Sequence, residues 1–209
     1  MNPVRRPFRY RYDNAVLYII GINILVFILQ QIMPQVSYYA ALNPILIIRR
    51  RFVWQFFTYM FAHGGISHLV FNMLALFIFG AQVERQIGSK EFLLYYLLTG
   101  ILAGVFSFGI YMLTGSYNVF LLGASGALFA VQLAYAVFFP NAVLYVWGIL
   151  PLRAPVMVLG FTALEIFSSV FGLRSGVAHL THLAGFAFGW IYFLARFNMN
   201  PWRYFTNSR

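Results

Sequence analysis

The sequence predicts an all-α polytopic membrane protein, a bundle of six membrane-crossing helices, and three observations carry that prediction. Of 209 residues, 62% are apolar and only 9% are charged, whereas soluble domains run nearer ~45–50% apolar and ~25% charged. The apolar residues gather into six runs that approach the ~20 residues needed to cross a ~30 Å hydrocarbon core. The fourteen bases outnumber the four acids and fall between those runs, where basic residues set the orientation of a membrane protein.

The first run, residues 14–33, follows Arg5, Arg6, Arg9 and Arg11. It is too long for a signal peptide's apolar region and no small-x-small cleavage pattern follows it, so it reads as an uncleaved span. Residues 34–62 form a loop carrying Tyr38, Tyr39, Phe52, Trp54, Phe56, Phe57 and Tyr59 beside Arg49, Arg50 and Arg51, a composition suited to the membrane interface. Residues 67–83, 92–113, 125–139, 154–172 and 177–195 are the remaining spans, the fourth being short. Residues 140–151 form an apolar connection expected to pack under the helices. The organisation predicted is an N-terminal cytoplasmic segment, 1–13, a single six-span domain, 14–197, and a cytoplasmic tail, 198–209. With the N-terminus inside, ten of the fourteen bases fall on the inner side, Arg49, Arg50, Arg51 and Arg174 being the exceptions. Both termini are therefore expected in the cytoplasm.

Composition also removes chemistries. The acids are Asp13, Glu84, Glu91 and Glu165, and there is no cysteine. An aspartyl intramembrane protease would need two aspartates within spans. A thermolysin-like zinc site needs a glutamate directly after a histidine. Thiol chemistry and disulfides are excluded. The bases are scattered among apolar runs rather than grouped, so nucleic acid is not the expected partner. Neither a cofactor nor a metal is expected; a cluster of His63, His68, His179 and His182 would lack acid or thiolate ligands.

Polar residues inside spans are expensive and are functional candidates by default. His68 and Asn72 open the second span, Gly123, Ser125 and Gly126 the fourth, and His179, His182, Gly185 and Gly189 the sixth. In the predicted topology these three spans run in the same direction. Ser125 and His182 each lie 14 residues from their span's inner end, Phe139 and Arg196, which is ~21 Å of helix. Asn72 and His68 lie ~18 and ~24 Å from Glu84. All four share one layer. Gly185 and Gly189 stand at i+3 and i+7 from His182, and Gly126, Ala130 and Ala134 make a matching small stripe, so close approach would bring Ser125 to His182.

Serine beside a neutral histidine is a nucleophile with its general base. No carboxylate is near these histidines in sequence, which favours a Ser-His dyad over a triad. His68 and Asn72, at i and i+4, with backbone N–H groups around Gly123–Ser125, can hold a developing oxyanion. His179 competes with His182 as the base, but only His182 has the two glycines on its face. His63 serves either a structural or a catalytic purpose. Glu165 is expected to be protonated or hydrogen-bonded within the bundle, and Gln82 and Gln132 are expected to bond between helices.

With these residues in place the chain resembles the rhomboid intramembrane serine proteases over nearly its whole length. The resemblance rests on H-x4-H-x3-N (His63, His68, Asn72), G-x-S-G (Gly123, Ser125, Gly126), H-x-x-G-x-x-x-G (His182, Gly185, Gly189), and Glu84-Arg85 followed by Gly88-Ser89. It implies a six-transmembrane-helix rhomboid-type bundle in which Ser125 attacks a peptide bond with His182 as base. It further implies an oxyanion hole made by His68, Asn72 and the Ser125 N–H, an aromatic loop lying in the outer leaflet, and a fifth span acting as a lateral gate. Two positions depart from the pattern: Gln55 follows Trp54 where arginine is frequent, and Phe129 stands where a tyrosine often stacks on the histidine. The implied partners are membrane-protein substrates, single-span or polytopic, and the lipid bilayer; the oligomeric state is unassigned. The compact six-span form favours a bacterial or archaeal plasma membrane. The rival reading is a catalytically silent relative that binds client transmembrane helices.

Overall fold

A computed structural model of the chain describes residues 7–146, 148–171 and 176–206. Arg5, Arg6, Arg174 and Arg209, used above for orientation, lie outside the described residues. The described chain is a helical membrane bundle. Three helical stretches, Ala15–Ile32, Ile66–Ile87 and Ser89–Thr114, are long and apolar enough to cross a membrane, and two more apolar helices are shorter. Leu25 and Ile28 of the first stretch, Phe71 and Phe77 of the second, and Val156 and Phe167 farther along are all exposed, as lipid-facing side chains are.

Helix α1 is Ala15–Ile32. Three short helices follow, α2 (Gln35–Ala40), α3 (Pro44–Arg50) and α4 (Gln55–Thr58), so the aromatic loop is folded. Gln55 is fully buried. Its side chain accepts from Asn43 N–H at 3.0 Å and donates to the carbonyls of Tyr38 and Tyr39. That is how the loop is anchored where the family often has arginine. The second stretch runs α5 (Ile66–Ala75), a π-helical turn (Leu76–Gly80) and α6 (Ala81–Ile87). Gly88, at φ 84°, turns the chain into α7, Ser89–Thr114.

Helix α8, Ser125–Phe138, is the centre of the bundle: ten of its fourteen residues are buried, and it packs against α5, α6, α7 and the helices that follow. At ~1.5 Å per residue it is only ~21 Å long. It tolerates this because its neighbours, rather than lipid, surround it. Next comes a two-stranded antiparallel ribbon, β1 (Val143–Val146) and β2 (Leu150–Arg153), with Val143 opposite Arg153. The expectation for residues 140–151 holds in part, since Ala142, Leu144 and Val146 pack against the core. The ribbon satisfies its backbone by pairing with itself, and Tyr145, Ile149 and Leu150 are exposed rather than packed under the helices. Helix α9 is Ala154–Phe171, and α10, Gly176–Tyr192, continues through a π turn, Phe193–Phe197, before α11, Pro201–Thr206.

Charged residues close the end of the bundle near Asp13. Asn14 starts α1 in a left-handed conformation without a side-chain cap. The cap comes from α6: Glu84, fully buried, accepts from Ala15 N–H at 2.6 Å and Val16 N–H at 2.9 Å, and Ser89 Oγ donates to it as well. A carboxylate at a helix start satisfies otherwise orphaned N–H groups and favours the dipole. Glu84→Ala is expected to lower stability by about 3 kcal/mol, because two buried N–H groups lose a charged acceptor. Thermal unfolding of the purified protein in detergent, against wild type, measures it. Glu91 makes the second tie, a two-pronged pair with Arg196 (Nε 2.8 Å, Nη2 2.9 Å), and also accepts from Tyr192 and the Phe8 N–H. Arg196 therefore does more than mark an orientation: it joins the end of α10 to the start of α7.

Candidate active site

Ser125 is the first residue of α8, reached by a turn that the aromatic loop holds in place. Leu42 and Leu121 exchange both backbone hydrogen bonds at 2.9 Å, and Gly123 N–H donates to the Tyr59 carbonyl at 2.9 Å. Gly123 has φ 122°, a conformation that L side chains rarely adopt. It also has no room: a Cβ there would stand 2.7 Å from His68 Cε1 and 2.8 Å from His68 Nε2. Of the backbone N–H groups around Gly123–Ser125 expected to face an oxyanion, that of Gly123 is engaged by the Tyr59 carbonyl. The Ser125 N–H, at the helix start, has no acceptor within its own helix.

Helix α10 brings His182 to Ser125 through backbone contact. A Cβ at Gly185 would lie 1.8 Å from the Gly126 carbonyl oxygen, and one at Gly189 would lie 3.0 Å from Ala130 Cβ. The small stripes therefore interlock as their spacing implied. At this separation the Ser125 hydroxyl is 2.7 Å from His182 Nε2. Phe129 stacks on the His182 ring, with centroids 4.7 Å apart and planes 7° from parallel. Phenylalanine thus supplies the stacking surface by itself. Near this pair, Tyr95 Oη donates to the Ala130 carbonyl and the Ser107 and Thr181 hydroxyls bond each other.

His68 and Asn72 lie on one face of α5 and border the Gly123 turn. Asn72 is buried, and its Nδ2 has no hydrogen-bond partner among the described residues. A buried amide donor left open beside a helix start is what a transient anion would use. His63 is buried, its ring edge-on to His68 at 5.0 Å, and its backbone N–H donates to Gln30 Oε1. Gln82 is exposed, and Gln132 Oε1 is buried without a partner among the described residues; neither makes the inter-helix bond expected of it.

Glu165 of α9 is hydrogen-bonded within the bundle, one of the two states expected of it, and its partners are histidines. One carboxylate oxygen is 3.0 Å from His182 Nδ1 and the other 2.5 Å from His179 Nδ1. The dyad was favoured because no acid is near the histidines in sequence; in space one touches both. The signal was available, since Glu165 lies eleven residues from Ala154, ~17 Å along α9 and within a turn or so of the Ser125 layer. His179 faces Glu165, not Ser125, with its Nδ1. Among the described residues, Glu165, His179 and His182 present ligand atoms within 4.8 Å of one another, close enough to hold a metal ion. A metal on His182 Nδ1 would move the remaining proton to Nε2 and remove the lone pair facing Ser125. Metal binding and base catalysis at this ring exclude one another.

Comparison with known proteins gives the family. Residues 50–199 match the family described as Rhomboid domain. The chain is similar to rhomboid protease AarA of Providencia stuartii, 29% identical over 149 residues, covering 65% of this chain and 53% of that protein. It is similar to rhomboid-type serine protease 2 of Emericella nidulans, 34% identical over 139 residues, covering 65% of this chain and 25% of that protein. A third, the mitochondrial rhomboid protein 1 of Saccharomyces cerevisiae, is 28% identical over 190 residues, 88% of this chain and 54% of that protein. The chain thus spans a quarter to about half the length of these curated relatives.

Proposed function

Because the chain belongs to the rhomboid family, we propose that it is an intramembrane serine endopeptidase that cleaves transmembrane segments of other membrane proteins, with Ser125 as nucleophile and His182 as general base. The observation carrying this reading is the 2.7 Å contact between Ser125 Oγ and His182 Nε2, with Phe129 stacked on the ring and an Asn72 Nδ2 that has no partner among the described residues. As Oγ attacks the scissile carbonyl carbon, its proton passes to Nε2 and the carbonyl electrons move onto oxygen. Asn72 Nδ2, His68 and the Ser125 N–H receive that oxyanion. Collapse expels the amine, which takes the proton from His182, and water then releases the acyl group by the same steps in reverse order of partners. Neither metal nor cofactor enters. In this reading the domain of residues 14–197 crosses the membrane six times, with both termini in the cytoplasm and the site recessed from the opposite face, in a prokaryotic plasma membrane. Attack requires an extended backbone, so substrates carry small or helix-destabilising residues near the outer ends of their spans.

The test is the purified protein in vesicles with a single-span reporter and a fluorophosphonate probe. Covalent labelling at Ser125 together with cleavage supports the proposal. A probe that leaves Ser125 unmodified while reporter helices still bind would favour the silent, client-binding relative. Asn72→Ala is expected to lower kcat by roughly 10²–10³-fold, the loss typical for one oxyanion donor, with KM nearly unchanged. Steady-state cleavage over a range of reporter densities separates the two constants.

A further inference from the structure

His182 uses both ring nitrogens: Nε2 faces the Ser125 hydroxyl at 2.7 Å and Nδ1 faces Glu165 at 3.0 Å. A neutral imidazole has one N–H and one lone pair. To accept the serine proton at Nε2, the ring must carry its hydrogen on Nδ1. The group facing Nδ1 is a carboxylate, which accepts and does not donate when ionised, so the tautomer that satisfies Glu165 is the one competent for catalysis. The carboxylate is also pinned at its other oxygen by His179, so it cannot rotate away. The surroundings argue against Glu165 being a packing residue. The buried residues described on α9, Ala154, Pro155, Met157 and Val158, all lie in its first two turns, whereas Glu165 is farther along, on the half of α9 whose described side chains all keep some exposure. An acid inside a span is costly unless its contacts repay it, and the contacts given for this one are the two histidines.

We infer that Glu165 is a positioning residue that converts the serine–histidine pair into a Ser125–His182–Glu165 relay, holding the imidazole with its lone pair toward Ser125 and stabilising the imidazolium formed on attack. This rests on the proposed protease activity. The carboxylate does not itself take the proton; it supplies a fixed negative charge 3.0 Å from the ring that becomes positive.

The experiment uses the full chain in vesicles with the reporter described above. Glu165→Gln is expected to lower kcat by roughly 10²–10⁴-fold, as removal of the acid does in soluble triads, with KM within about two-fold. Glu165→Asp recovers part of the loss, and added formate partly rescues Glu165→Ala. In protein carrying ¹⁵N-labelled histidine, a low-field Nδ1–H proton resonance is expected that disappears in His182→Ala and moves in Glu165→Gln. A Glu165→Gln protein with wild-type kcat overturns the inference. Should that variant fold poorly, the wild-type spectrum decides: absence of the low-field His182 resonance overturns it equally. Ser125→Ala separates the two levels. If it abolishes cleavage while Glu165→Gln is silent, the relay falls and the serine–histidine reading stands; if Ser125→Ala still cleaves, both fall.

Discussion

His182→Ala is expected to leave a folded protein whose reporter cleavage is lower by on the order of 10⁴-fold or more, and Ser125→Ala should be at least as inactive. The two losses differ in kind. Without Ser125 there is no atom to form the acyl intermediate, so the fluorophosphonate probe finds nothing to modify. Without His182 the hydroxyl is still present, 2.7 Å from where the ring stood, but its proton has no acceptor during attack, so probe labelling slows rather than vanishing. Combining the two should cost little more than either alone, because residues that act as a unit are not additive. Neither side chain is large, and the pair is only half-buried, so stability should stay near wild type. Cleavage by either single variant at a wild-type rate would remove the proposed chemistry. Equal melting temperatures are needed for the comparison to count.

The second large effect is expected at Gly185. The added methyl of Gly185→Ala would lie 1.8 Å from the Gly126 carbonyl oxygen and 2.7 Å from its carbonyl carbon. These are backbone atoms of the central helix, so no rotamer change relieves the clash, and α8 and α10 must separate. Overpacking of a close contact costs about 1–3 kcal/mol, and more where the backbone cannot yield; here the upper end or beyond is expected. A displacement near 1 Å at a catalytic pair also costs roughly 10²-fold in rate. Gly189→Ala should be milder, because its nearest contacts, Tyr95 Oη at 2.7 Å and Ala130 Cβ at 3.0 Å, include the end of a side chain that can move. Melting and kcat measured on both variants give the ranking, and a Gly185→Ala protein as stable and active as wild type would contradict the packing described.

Three of the expected spans return as helices long and apolar enough to cross a membrane, because a membrane imposes a length, and the contact of Ser125 with His182 follows from a shared depth. Ser125, His182, His68 and Asn72 could be found by measuring along each helix from its inner end, and Gly126, Gly185 and Gly189 by their spacing. Glu165 reads from the sequence as an acid hydrogen-bonded within the bundle, and it is; which groups it meets, His179 and His182, depends on how α9 packs on α10. Other features depend on contacts that no periodicity encodes. Glu84 reads as a charge at the end of a span, yet its two oxygens meet the start of α1, 68 and 69 residues away. The Gly123 N–H reads as available until the loop carrying Tyr59 folds over it. The ribbon of β1 and β2 was hidden by its apolar composition, which suits a packed connection as well as a self-paired one.

The Glu84 contact also bears on the order in which the molecule is completed. Helix α1 is synthesised before α6 and α7, but its opening N–H groups have no cap of their own. The acceptor that finishes them arrives with α6, and the serine that braces that acceptor arrives with the first residue of α7. During biosynthesis the first helix therefore waits, inserted but unfastened, until the chain has crossed and turned back, and its amino end closes only when the residues of that turn have emerged.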